Sequence, residues 1–424
     1  MKVIAAFGSG IEKRYKESPE KARRFMIKGW HVLKFKFRHF PHKEFLSAEG
    51  YLAEMMMDNM IKCAENPEKS AAVSIFTPCD LLHEAGLYTY SAEGLSCFLS
   101  GSGIEEMCIK YAENNRVSET LCSYHKTFIG AVECGLVPLP EYIVYTSLIC
   151  DANMVTFKML SEKYSIPSFF IDVPMEQSEE SVQYVAGQLR KLKVFLEEHT
   201  GKTISEENLK KRIEKSASSV DKLKELKRLR KDRYIPMDVL SPMYWALNNN
   251  LLSGTDEQKT YLELAVNDAK NAENKKGTHL YFMHTVPFWS TSLQNLVQLK
   301  EGAQIVGCDL GDCLDFDFLR DDPYESMAVR MVYNTFNGNV FRRIEAGVKH
   351  AKETGADGVV WFCHWGCKRT LGSANLAKKI FEENGLPLLI LDGDGCDKRH
   401  GGEGQTATRL GAFIEMLEKR GDKK

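Results

Sequence analysis

The sequence predicts an α/β protein built from two doubly wound parallel-sheet lobes joined by a helical connector, and three observations carry that reading. Short β-branched and aromatic runs at 71–76, 142–145 and 167–171 alternate with helical segments, and the alternation returns after residue 279 at 305–307, 358–362 and 387–391. That is the texture of parallel sheets wrapped by helices. Between the two stretches lies a charged, helix-patterned region. The third observation is a repeated unit. A strand over 142–149 ends at Cys150, a helix follows over 153–164, and Pro167 opens a strand that ends at Asp172. In the second copy a strand over 358–362 ends near Cys363 and Cys367, a helix follows over 373–384, and Pro387 opens a strand that ends at Asp392.

At about 150 residues per domain, 424 residues make two or three domains. The divisions fall as an N-terminal helical segment (1–70), a first α/β lobe (71–174), a helical connector (175–278) and a second α/β lobe (279–424). Residues 11–66 read mostly as helix, with Met55, Met56, Met57 and Met60 as core filling rather than sulfur ligands. In the connector, seven basic residues crowd into 222–233. Leu223, Leu226 and Leu229 at helical spacing, with Glu225 and Asp232, make this a solvated helix face rather than a phosphate site. In the second lobe one long helix is expected from Met327 to Ala351.

Composition narrows the function. With 56 basic and 58 acidic residues the formal charge is -2, so no global field draws the chain to nucleic acid or an anionic membrane. No apolar run approaches the roughly 18 residues of a membrane span, and the N-terminus lacks a secretory core region. A cytoplasmic location is expected. Twelve cysteines in such a compartment are not a disulfide framework; they are core packing or metal ligands. A phosphate loop of the form G-x-x-x-x-G-K-[ST] is absent, and Gly8-Ser9-Gly10 and Gly101-Ser102-Gly103 read as turns rather than dinucleotide fingerprints. No C-x-x-C pair marks a zinc knuckle or ferredoxin motif.

What remains is cysteine that folding assembles. Cys79 follows the Thr77-Pro78 break, Cys122 precedes a helix and Cys367 follows Gly366 at another helix start, so all three are expected at positive helix N-termini, a setting that favours thiolate. Cys97, Cys108 and Cys134 fall inside elements and read as packing. Each repeat puts a cysteine at the carboxyl edge of a parallel sheet, where open α/β sheets bind ligands, so Cys150 and Cys367 are expected on opposing walls of a cleft. Three thiolates suit three irons of a cubane with the fourth left open. Cysteines that merely cap helices in a cleft are the plain alternative.

The stretches Thr77-Pro78-Cys79-Asp80-Leu81-Leu82-His83-Glu84-Ala85-Gly86, Cys122-Ser123-Tyr124, Ile149-Cys150-Asp151, Ile171-Asp172-Val173-Pro174 and Gly366-Cys367-Lys368, with the segment from Asp392 to Glu415, resemble the 2-hydroxyacyl-CoA dehydratase and benzoyl-CoA reductase subunit family. The resemblance implies two α/β lobes around an iron-sulfur cluster, of the 4Fe-4S type or a double-cubane cluster, in the cleft between them. It places the metal ligands on Cys79, Cys122 and Cys367, with Cys150 beside them. It further implies a CoA thioester substrate, an ATP-hydrolysing iron-sulfur activator protein as electron donor, and a homodimer or a heterodimer with a related subunit, with neither nucleic acid nor membrane as partner. The expected reaction is loss of water from an (R)-2-hydroxyacyl-CoA. One electron added to the thioester carbonyl gives a ketyl radical that expels the hydroxyl and acidifies the β-hydrogen. Cys363 and Cys396, also at expected strand ends, keep open the alternative of a double-cubane reductase of small molecules. The sequence does not name the base: His83, Glu84, Glu93, His125 and His364 are open to the role, but each reads first as structural, and His364 is better suited to hydrogen-bonding a ligand than to being one.

Overall fold

A computed structural model describes residues 2–421 apart from 298, 300 and 401. It contains two four-stranded parallel sheets. The first is built from β1 (Ser70–Val73), β2 (Tyr88–Ser91), β3 (Tyr142–Thr146) and β4 (Ser168–Ile171), in the order β2-β1-β3-β4. The second comprises β5 (Thr278–Met283), β6 (Ala303–Cys308), β7 (Gly358–His364) and β8 (Leu388–Gly393), in the order β6-β5-β7-β8. The two orders are one topology used twice, which is the repeat seen in the sequence. All residues of β3, β5, β6 and β7 are buried, as parallel strands covered by helices on both faces must be. Each sheet reverses its winding direction between two central strands, β1 and β3 in one and β5 and β7 in the other, and a crevice opens there at the carboxyl ends.

The N-terminal segment forms helices Lys2–Tyr15, Pro19–His39 and Ser47–Glu65, and Met55, Met56, Met57 and Met60 are all buried in it. The region between the sheets folds as helices Glu179–Thr200, Glu206–Arg230, Ser241–Leu251 and Asp256–Asn271. Five of the seven basic residues at 222–233 are exposed or partly buried, as a solvated face requires, and two depart from it. Lys227 is buried and pairs with Asp315, and Arg230 is buried with its guanidinium 3.8 Å from the Trp245 ring centroid. Helical spacing carries these two stems inward, where a carboxylate and an aromatic face replace water.

The expected helix from Met327 to Ala351 is two helices, Pro323–Val332 and Val340–Glu353. Polar side chains end the first and start the second. Asn337 Nδ2 donates to the Val332 carbonyl, Asn334 Oδ1 accepts from the Phe336 N–H, Gly338 takes φ +82°, and Asn339 caps the next helix through Arg342 N–H. Among the described residues no helix is long and apolar enough to cross a membrane.

Candidate functional site

The carboxyl ends of the two sheets enclose a cavity of about 350 Å³, within the range of small-molecule sites. Loops following β1, β3, β5 and β7 supply its wall: Ile75 and Phe76, then Ile149 and Cys150, then His284 and Thr285, then Gly366 and Cys367. Cys122 lines it as well. Of the twelve cysteines, Cys122, Cys150 and Cys367 are the three with partial exposure; the other nine are buried. Each of the three occupies the N-cap position of a helix, Ser123–Glu133, Asp151–Tyr164 and Lys368–Glu383 respectively. Three helix N-termini therefore point positive ends at one space. Cys150 and Cys367 both face it, one from each lobe.

Cys79 shares the N-cap position, on the short helix Asp80–Glu84, but not the cavity. It is 2% exposed, its Sγ lies 3.3 Å from the Thr77 carbonyl, and burial pushes its thiol up to about 12, which opposes the thiolate expected from the helix start. Its neighbour Asp80 is committed to structure, in a buried pair with Arg330 at 2.7 Å and accepting from Ser216 Oγ. Cys363 and Cys396 are buried outside the cavity lining, against the Thr370 carbonyl and the Thr127 hydroxyl. Cys97, Cys108 and Cys134 are buried, as packing residues should be.

The lobes meet closely at the cysteines. Gly366 has φ +85°, and a Cβ there would lie 2.7 Å from the Cys122 Cα, so only glycine lets the loop carrying Cys367 come this near. His364 Nδ1 lies 3.0 Å from the Gly395 N–H, which can only donate. Burial holds the His364 ring neutral, its pKa down to about 4. The ring proton therefore sits on Nε2, 3.2 Å from Cys122 Sγ, and is donated to sulfur. Burial, then the nearby Cys150 and Cys367, raises the Cys122 thiol, and burial with Glu93 pushes Cys150 up to about 11. Metal-free, these two are thiols; a bound metal would deprotonate them outright.

Of the base candidates, Glu93, His125 and His364 reach the cavity, whereas His83 and Glu84 do not. Glu93 Oε1 accepts from Asn153 Nδ2 at 2.8 Å and lies 3.8 Å from His125 Nε2. Glu93 Oε2 and His125 Nδ1 are buried without a hydrogen-bond partner among the described residues. A cavity with orphaned polar atoms in its wall is built to hold something polar.

The donor set fits an iron-sulfur cluster better than a single ion. Among the described residues, the one trio of His, Cys, Asp or Glu donors within 4.8 Å of one another is Asp315, His350 and Glu353, where Lys227 already supplies the cation. Cys122, Cys150 and Cys367 do not close to that spacing, and three thiol sulfurs on one cavity are the soft donors that iron-sulfur clusters take. Sequence reasoning passed over His284, Thr285 and Asn153, because nothing local to their segments marks them as cavity residues.

A family model described as 2-hydroxyglutaryl-CoA dehydratase, D-component, matches residues 74–417. The chain is 20% identical over 396 residues to the (R)-phenyllactyl-CoA dehydratase alpha subunit of Clostridium sporogenes, covering 87% of this chain and 95% of that one. It is 23% identical to the lactoyl-CoA dehydratase subunit alpha of Anaerotignum propionicum, over 73% and 81% of the two chains. To the (R)-2-hydroxyisocaproyl-CoA dehydratase alpha subunit of Clostridioides difficile it is 24% identical, over 75% and 82%.

Proposed function

Since this chain belongs to the 2-hydroxyglutaryl-CoA dehydratase D-component family, we propose that it is a subunit of a 2-hydroxyacyl-CoA dehydratase carrying a 4Fe-4S cluster on Cys122, Cys150 and Cys367. The observation that carries the ligand assignment is that the three incompletely buried cysteines all line one inter-lobe cavity. Such a cluster supplies, when bound, one-electron chemistry and a Lewis-acidic iron with an open position.

The chain's own residues do the rest. His364 donates to Cys122 Sγ and stabilises its thiolate form. Ile75, Phe76, Met243, Leu310 and Phe336 give the cavity an apolar side that excludes water and shields a ketyl-type intermediate of the substrate. Glu93 Oε2, fixed through Asn153 on the other oxygen and unpaired, is the acceptor for the β-proton, with His125 beside it. The alpha-subunit names of the relatives support assembly with a further subunit. The lack of a phosphate-cradling loop, in a chain whose proposed reaction needs a strongly reducing electron, supports an external activator as the donor.

Anaerobic assay with a candidate partner subunit and activator tests the reading. Conversion of a 2-hydroxyacyl-CoA to the enoyl-CoA should need both ATP and the activator. Turnover by the isolated chain with a mild reductant contradicts it.

A further inference from the structure

His284 follows directly on β5 and holds a backbone conformation that favours glycine, φ +78°. The fold enforces it from two sides. Its N–H donates to Asp309 Oδ1 at 2.7 Å, Asp309 is itself locked by Arg343 at 2.7 Å with both side chains 5% exposed, and Cys308 Sγ lies 3.3 Å from the His284 carbonyl. Strain over-determined in this way is kept where a side chain must be presented. The presented group is an imidazole on the cavity wall, stacked on His364 at 5.8 Å and 13°, and His364 in turn touches Cys122. Nδ1 is paired with Thr285 Oγ1 at 3.0 Å. Among the described residues Nε2 has no hydrogen-bond partner, and His284 is only partly buried and lines the cavity that holds the cysteines, which leaves Nε2 for a ligand there.

Resting on the dehydratase reading, we propose that His284 Nε2 binds the 2-hydroxyl of the substrate and so selects hydroxylated over deoxy acyl thioesters. Burial and Arg343 hold the ring neutral, its pKa down to about 3, so one nitrogen donates and the other accepts. A hydroxyl both donates and accepts, and therefore satisfies Nε2 whichever tautomer Thr285 selects; a carbonyl would suit only one. No proton is transferred in this contact. It orients the bond that is to break.

The test is binding, without activator or ATP, to the anaerobically reconstituted complex. Dissociation constants are measured for (R)-2-hydroxyisocaproyl-CoA and for isocaproyl-CoA, with wild type and His284→Gly, a substitution the positive φ accepts. Wild type should prefer the hydroxylated thioester by about tenfold, the worth of one such hydrogen bond. His284→Gly should reduce that preference to within twofold, bind isocaproyl-CoA as wild type does, and keep its iron. A preference that survives the substitution, an equal weakening of both thioesters, loss of iron, or no preference in wild type overturns the assignment while the dehydratase reading stands. A wild type that binds neither thioester overturns both.

Discussion

Replacing Gly366 by alanine perturbs a point where the backbone of the second lobe approaches that of the first beside the cysteines. Two effects add. At φ +85° an L-residue is disfavoured by about 1–2 kcal/mol. The new Cβ would also lie 2.7 Å from the Cys122 Cα and 2.9 Å from its N, closer than real contacts allow. Those atoms belong to a helix N-cap and cannot swing aside as a flexible side chain would. Relief requires the Cys367 loop to move away from Cys122, at a cost comparable to other overpacked sites, about 1–3 kcal/mol. Gly366→Ala should therefore lose about 2–5 kcal/mol in denaturant unfolding and, because Cys122 and Cys367 are parted, retain well under half of the iron after anaerobic reconstitution. Gly372→Ala, in the helix Lys368–Glu383 with nothing within 4 Å of its Cβ, is the control and should gain roughly 0.5–1 kcal/mol with full iron. A Gly366→Ala protein as stable and as iron-rich as wild type refutes the close-approach argument.

Three other outcomes follow from buried groups. Glu49 is buried and hydrogen-bonded by Ser241, and burial raises its carboxyl to about 7 from 4.5. The folded state thus binds the proton more tightly than the unfolded one; the contribution is complete below about 4.5 and is lost as pH rises through 7. At 1.36 kcal/mol per pH unit this amounts to about 3 kcal/mol at most, and Glu49→Gln should flatten the pH–stability curve between those values. Breaking the buried Asp80–Arg330 pair with Asp80→Asn should cost about 3–5 kcal/mol in denaturant unfolding and leave iron content unchanged, since the pair lies off the cavity lining. Cys134→Ser, at a buried helix end away from the cavity lining, should keep both iron and turnover.

Much of the fold was legible because its signals are local. The strand, helix, proline, strand, aspartate order of the two repeats is written in consecutive residues, and the identical sheet orders bear it out. β2 went unnamed because Tyr88-Thr89-Tyr90-Ser91 is four residues of mixed polarity, and its strand state depends on pairing with β1. The long helix was overextended because apolar periodicity continues across 334–339, where asparagine side chains and a positive-φ glycine break it. Within the basic run Lys227 and Arg230 are the exceptions to a solvated face for a related reason: sequence gives their spacing but not the Asp315 and Trp245 that receive them.

The cysteines show the same limit at the site. Cys79, Cys122, Cys150 and Cys367 all begin helices, and no local rule separates them. Depth does. Tertiary packing buries Cys79 against its own turn and leaves the other three at the cavity, where His364 and Gly366, from the opposite lobe, complete the surroundings of Cys122.

Iron and acid-labile sulfide, quantified per chain after anaerobic reconstitution of wild type and of single serine variants, bear most directly on the cysteine assignment. Wild type should hold about four irons. Cys122→Ser, Cys150→Ser and Cys367→Ser should each lose most of them together with turnover, while Cys79→Ser should hold the wild-type amount. Full iron in any of the first three, or loss of iron in Cys79→Ser with the fold intact, contradicts a cluster held by the three cavity cysteines.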